Sequence, residues 1–369
     1  MVAAAVLALA AAPAGAARVG HAPSHRSFIG RLHTISTVAS AVPASGPAAG
    51  DQNPYGVAVI PRSTGDLVRG DVLVSNFNNA ANQQGTGSSI VEISPSGQQH
   101  VFAIVPAPTA TPAVGLTTAL VALRNGDVIV GSLPAPGGAA AAMTAGALTI
   151  LNADGEVIRT VTAADINGPW DMTAVDGGRL ATLFVTNVLN GTVAAAGAVV
   201  NDGTVARITL AFGRDGTDPE VIANRVIATG FGEHTDPNAL VVGPTGVGLG
   251  DDDVLYVADA NGNRIAAIPN ARFRRSVLGG GGITVSTDPA LNDPLGLVIA
   301  PNGDIVTANG ADGNVVETTP FGRTVAVDTL VPNGGGDLFG LAVAPGRSGL
   351  YFVDDAGSGP SQNSLDLAR

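Results

Sequence analysis

Short apolar runs of Val, Ile, Leu and Ala alternate with turns built from Gly, Pro, Asn and Asp along almost the whole chain. One phrase recurs six times: a Pro- or Asp-containing turn, a small residue, an apolar strand, a Gly-containing turn, and a second apolar strand ending in a polar residue. It opens as NPYGVAVIP (Asn53 to Pro61) leading to DVLVSNFNN, and returns as AVGLTTALVALRNGDVIVGS and GPWDMTAVDGGRLATLFVTN. DPNALVVGPTG (Asp236 to Gly246), DPLGLVIAPNGDIVTAN and DLFGLAVAPGRSGLYFVDD complete the set. Internal repetition of this kind marks a repeat architecture.

Each copy continues into weaker strands, as in SIVEISPSGQQHVFAIV and ALTILNADGEVIRTVT. The Ser-Gly and Asp-Gly turns inside them are hairpin signals, because these residues tolerate positive φ. Each unit therefore predicts a four-stranded antiparallel sheet. Such a sheet cannot bury both faces alone, and radial packing around an axis solves the problem while leaving only short edges. The pattern predicts an all-β, six-bladed β-propeller. An open sandwich and a β-helix compete with it, but β-helix rungs are much shorter than these units.

The ends bear on closure. The last copy has only one further strand, Asn363 to Arg369, and an orphan strand at Arg31 to Ser40 precedes the first copy. The N-terminal strand is therefore expected to complete the last blade. Residues 2–17, Ala-rich and ending in small residues, read as a secretory signal with its cleavage site. Residues 18–30 follow as a flexible leader, and 31–369 as one propeller domain. The expected location is secreted or periplasmic, with no membrane insertion and a monomeric state.

Composition narrows the function classes. The net charge is -12 and all 18 basic residues are Arg, which argues against nucleic acid as a partner and excludes Schiff-base chemistry. There is no Cys, so thiol nucleophiles and disulfides are absent. No G-x-S-x-G elbow, H-E-x-x-H or phosphate-binding loop occurs.

VLYVADANGNRIAAI (Val254 to Ile268) resembles the NHL repeat, in which an apolar strand ends in Asp before an Asn-containing turn and an Arg-Ile strand. The resemblance implies the broader gluconolactonase/NHL-like propeller superfamily, which includes scaffolds, ligand binders, lyases and lactonases. Calcium-dependent gluconolactonase-like members carry a metal-binding Glu in a Glu-Gly-Pro-type turn of the first blade, where this chain has Asn53-Pro54-Tyr55. Lyase-like members depend on several His residues, and His234 is the plausible counterpart here.

Chemistry is expected at the channel mouth, where turns leading into the innermost strands converge. Those turns carry Asn53, Asp171, Asp236, Asn238, Asn292, Asp293 and Asp337. Asp and Asn offer hard oxygen ligands, so Asp171, Asp236, Asn238 and Asp293 are candidate ligands for Ca²⁺. The same residues also serve simply as turn formers. Glu233 and His234 are candidate proton-transfer groups, and Tyr55, Trp170 and Phe339 are candidate floor or plug residues of a ligand pocket. A second polar set follows the second strands, including Asn78, Asp259, Asp312 and Asp355, and reads as turns. The first functional expectation is a secreted binding or scaffold module for a small molecule, glycan or protein. The alternative is a divalent-metal-dependent hydrolase, lactonase-like, or a lyase.

Overall fold

A computed structural model describes residues 26–108, 113–213, 219–355 and 363–369; the segment expected to be a signal, 1–17, lies outside them. The described chain forms six antiparallel sheets, one per repeat. Each innermost strand packs on the next, and the last, Leu338–Val343, packs on the first, Gln52–Val59, so the ring is closed. The blades are numbered here in that order.

Blade 6 is completed as the sequence predicts. Ile35–Ser40 runs antiparallel to Ser364–Ala368, pairing Ile35 with Ala368 and Ser40 with Ser364. Ser27 to Ile29, within the stretch expected to be a flexible leader, are instead anchored to the ring. Phe28 and Ile29 are buried in the cluster between blades 5 and 6. Glu317, itself buried, accepts hydrogen bonds from Ser27 Oγ (2.6 Å), Phe28 N (2.8 Å) and Ile29 N (2.8 Å). A low-charge Phe-Ile pair gains more from this apolar seam than it does in water.

All six innermost strands shift register near their start, between Pro54 and Val57 in blade 1 and at the matching place in the others. A bulge there re-aims the side chains next to it. Four blades place Gly at this point, at 56, 246, 296 and 340, because the neighbouring strand passes close by. A Cβ on Gly340 would lie 2.1 Å from the Tyr55 carbonyl oxygen. Gly340→Ala is expected to cost about 2–3 kcal/mol by forcing the inner strands apart, and a thermal melt matching wild type would show that the axis is not so tightly packed. Hydroxyls join blades at the same level. Ser75 Oγ donates to Thr117 O (2.9 Å), Thr186 Oγ1 to Thr245 O (2.7 Å), and Thr245 Oγ1 to Pro294 O (2.8 Å).

Blade 3 departs from the four-stranded plan. Its outer strands are long, Val200–Ala211 and Glu220–Asp236, and a fifth strand, Leu240–Val242, folds back on the end of the latter. Asp236 to Val242 is therefore a hairpin leaning over the channel, and blade 4 begins at Pro244. This corrects the sequence reading that placed Asp236 and Asn238 in the turn leading into blade 4. The hairpin is held because Leu240 and Val241 are buried among Tyr55, Trp170 and Phe339.

Candidate functional site at the channel mouth

The residue preceding each innermost strand's first apolar turn sets the character of the mouth. It is Asn53, Asp293 and Asp337 in blades 1, 5 and 6, and Gly115, Gly168 and Gly243 in blades 2, 3 and 4. Glycine makes room where loops and the blade 3 hairpin crowd in: a Cβ on Gly243 would lie 3.0 Å from Glu233 Cβ. Asn53 and Asp293 both adopt left-handed backbone, φ 59° and 55°, which Asn and Asp tolerate better than other side-chain-bearing residues. The mouth is thus polar on one side and roofed on the other.

Between the two sides lies a pocket of about 210 Å³. Its floor is aromatic. Tyr55 stacks on Phe77 (ring centroids 4.5 Å), and Phe339 and Trp170 lie 4.1 and 6.2 Å from Tyr55. These rings separate the pocket from the central channel below, a lumen of about 400 Å³ lined by residues including Val57, Leu120, Met172, Val247, Leu297 and Leu341.

The pocket wall offers acceptors. Asn53 Oδ1, Asn78 Oδ1 and Gln84 Oε1 are buried and have no hydrogen-bond partner. The Asn78 and Gln84 amide nitrogens are already committed, Asn78 Nδ2 to Asn82 Oδ1 (2.7 Å) and Gln84 Nε2 to the Asn238 carbonyl (2.6 Å). Two carboxyls complete the wall, Asp293 and Asp355. Burial, reinforced by the carboxylate of Asp236 and opposed by His234, raises the pKa of Asp293. Burial, reinforced by Asp337 and Asp354, pushes Asp355 up to about 8.

The structure distributes the sequence candidates unevenly. Asn53, Tyr55, Trp170, Asn238, Asp293 and Phe339 line the pocket together. Asp337 stands behind Asp355 and acts on it through charge. Asp171 belongs elsewhere. It occupies the bulge position that is Gly in four other blades and faces the channel lumen below the rings. Its carboxylate accepts from Met172 N (2.8 Å) and Val247 N (3.0 Å), bridging blades 3 and 4, and burial raises its pKa to about 7. Asp236 Oδ1 is spent within its own turn, on Asn238 N (2.6 Å) and Ala239 N (3.2 Å).

Glu233 is wholly buried and accepts from Asn190 N (2.8 Å), so it holds the 187–192 loop and lies outside the lining of the mouth pocket. His234 is half-buried, its Nδ1 3.1 Å from Asn261 Oδ1, outside the pocket lining. The carboxyls that do line the pocket are Asp293 and Asp355. Polar turns after the second strands lock themselves, as expected: Asp259 accepts from Arg264 Nε (2.7 Å) and Gly262 N (3.0 Å). Asp355, Asn78 and Gln84 are the pocket residues that sequence reasoning did not assign to the site. Their signal was available for the first two, which end the second strands on the same side of the ring as Asn53.

No family model and no curated protein matches the sequence. Solved structures match the fold. A gluconolactonase from Xanthomonas campestris superposes with a TM-score of 0.53 at 14% identity, covering 90% of this chain and 88% of that one. Regucalcin, a calcium-binding protein from Agrobacterium tumefaciens, gives 0.55 at 14% identity, over 89% and 95%. A PQQ-bound aldose sugar dehydrogenase from Streptomyces coelicolor gives 0.52 at 14% identity, over 91% and 98%. At such identities the likeness establishes the six-bladed propeller fold alone.

A calcium site does not follow from that fold. Among the described residues, no three His, Asp or Glu side chains are placed to hold an ion. Of the four ligand candidates, Asp171 lies in the channel and Asp236 is consumed by its turn, which leaves Asn238 and Asp293. The four candidates therefore do not meet as one ligand set.

Proposed function

We propose that this chain is a small-molecule propeller that binds a donor-rich ligand at the channel mouth and performs acid–base chemistry on it. The activity is of hydrolase or lyase type, with Asp293 and Asp355 as the proton-transfer groups and no divalent metal from Asp171, Asp236, Asn238 and Asp293. One observation carries the reading: a carboxyl that burial and neighbouring carboxylates push up to about 8 opens into the same pocket as three unpartnered, buried amide oxygens. A carboxyl protonated near neutral pH is a general acid, and its neighbour with a different environment serves as base. Gluconolactonase and aldose sugar dehydrogenase share the frame, which supports trying sugar lactones first.

The test is turnover of a panel of sugar lactones and elimination substrates in the presence of EDTA. Activity should survive EDTA, fall about 10²-fold in Asp355→Asn, and follow a pH profile with an inflection near 8. Abolition by EDTA, or an unchanged Asp355→Asn variant, would overturn the acid–base assignment. Binding without turnover favours the simpler module that takes a small molecule or glycan. Export of the chain is part of the proposal, motivated by the apolar segment 2–17. Mass spectrometry of the extracellular protein should find an N terminus near residue 17; an intact Met1 in the cytoplasm would rule export out.

A further inference from the structure

The chemistry of the mouth pocket narrows its ligand beyond the reading just given, on which this step rests. Its buried wall is made of acceptors. Asn53 and Asn78 are 6% and 3% exposed, and each leaves an amide oxygen without a partner. The orientation of the Gln84 amide is fixed, because its nitrogen donates to a backbone carbonyl that cannot donate in return. Its oxygen therefore faces the cavity. Asp293 and Asp355 add two carboxyl groups, and no Arg or His is among the described lining residues. Leaving a buried acceptor unpaired costs free energy that a donor ligand recovers.

Three ligand chemistries present donors to such a wall: a metal ion with its waters, a polyol, and an organic ammonium. A metal ion is the poorest fit. The described residues lack a cluster of three acids or imidazoles, and a bare ion leaves most of about 210 Å³ and the aromatic floor unused. A polyol hydroxyl donates once and finds a donor for its lone pairs in Asp355 while that carboxyl is protonated, but it brings no charge to answer the carboxyls. An ammonium carries donors only. Its positive charge answers the two carboxyls, and its substituent packs against the apolar floor that Tyr55, Trp170 and Phe339 contribute to the pocket.

We infer that the mouth pocket is a site for a small organic ammonium, its nitrogen held by Asn53, Asn78, Gln84, Asp293 and Asp355, and its apolar part on the Tyr55–Trp170–Phe339 floor. Binding a cation there favours the charged form of the carboxyls, and Asp355, which burial and its acidic neighbours push up to about 8, then releases its proton at pH 7 to 8. The same link makes the ligand bind more tightly as pH rises towards 8.5, until the amine itself begins to lose its proton.

Trp170 is the single tryptophan of the chain and lies in the floor, so its fluorescence reports this site alone. The experiment titrates the full-length protein at pH 7.5 with 2-phenylethylammonium, with its neutral isostere 2-phenylethanol, with glucono-1,5-lactone and with Ca²⁺. The ammonium should quench or shift Trp170 emission with an affinity at least about tenfold above the alcohol's. Calorimetry in two buffers of different ionisation enthalpy should show proton release. Asp355→Asn and Asp293→Asn copy the protonated forms in shape, and each should weaken the ammonium about tenfold while leaving the melt intact. If one variant fails to fold, the other carries the test.

Equal affinity for ammonium and alcohol, or tight binding that neither variant weakens, overturns the inference. Saturation by Ca²⁺ that displaces the amine overturns it in favour of an inorganic cation. If the lactone binds and turns over while the amine does not bind, the inference fails and the proposed function stands. If nothing perturbs Trp170 and no substrate turns over, both fail.

Discussion

The melting temperature of this protein should fall as pH rises from 5.5 to 8.5, by roughly 5–15 °C. The cause lies in fully buried carboxyls away from the pocket, chiefly Glu92 and Glu233, both 0% exposed. Burial pushes each of them up to about 7, from an ordinary value of 4.5. At Glu92 the neighbouring Asp71 and Asp66 act in the same direction, and one hydrogen bond from Val68 N (3.0 Å) opposes them. His100 Nε2 stands 3.8 Å from its other oxygen on the exposed side. At Glu233 the charge of Asp202 adds to burial, and the Asn190 backbone and side-chain N–H groups oppose it.

The sign follows from proton counting. Between about 4.5 and 7 the folded state holds these protons while the unfolded chain has released them, so folding takes up protons. Stability from this source is complete below the unfolded pKa and is lost as pH passes through the folded value. The loss is on the order of 2–3 kcal/mol for each group. Asp355 and Asp171, raised to about 8 and about 7, act in the same sense, while Glu317 adds no slope in this window: its four hydrogen-bond donors outweigh burial and lower its pKa, so it is ionised in both states above pH 5.5. Melting curves at half-unit steps of pH decide the matter. Glu92→Gln and Glu233→Gln should each flatten the slope, and a wild-type curve that is level or rising between 5.5 and 8.5 would remove the explanation.

Much of the ring was legible because its information is local. Asp-Gly, Asn-Gly and Ser-Gly turns between apolar runs set the hairpins, and Asn363 to Arg369 visibly lacked a partner that Arg31 to Ser40 supplies. The phase of blade 4 was misread because Asp236-Pro237 copies the turn chemistry of Asp293-Pro294. What marks an innermost strand is the Pro-x-Gly-Val phase, and that begins at Pro244. Glu233 and His234 were singled out as proton-transfer candidates, yet they lie inside a strand that continues through both to Asp236. Asp171 was grouped with mouth residues because it too follows a Gly-Pro turn. Aligned by register, it stands where the other blades keep Gly, a position that faces the lumen. The position of Asp355 was legible but its raised pKa was not, because that arises from burial, Asp337 and Asp354, and burial and Asp337 come only with the folded blade.

Removing residues 26–40 should produce the largest single loss of stability, enough that the chain aggregates or melts at least about 15 °C lower. Three effects add. Phe28 and Ile29, 2% and 0% exposed, leave the seam between blades 5 and 6, and each such side chain is worth roughly 2 kcal/mol. Glu317 loses three of its four donors, Ser27, Phe28 and Ile29, and keeps only the Asn302 amide (2.7 Å), each lost charge-assisted hydrogen bond being worth about 1.5–3 kcal/mol. The Ser364–Ala368 strand loses its partner and becomes an exposed edge beside the first blade. Closure then rests on inner-strand packing alone, so the defect is one of the whole ring and not of one blade. A peptide spanning residues 26–41, added in trans, should restore the melt, because the register Ile35–Ala368 to Ser40–Ser364 and the Glu317 contacts are all contained within it. Glu317→Ala should reproduce part of the loss in the intact chain. A truncated protein that melts within about 2 °C of wild type would show that the ring is held without its clasp, and that the paired termini are a consequence of closure and not its cause.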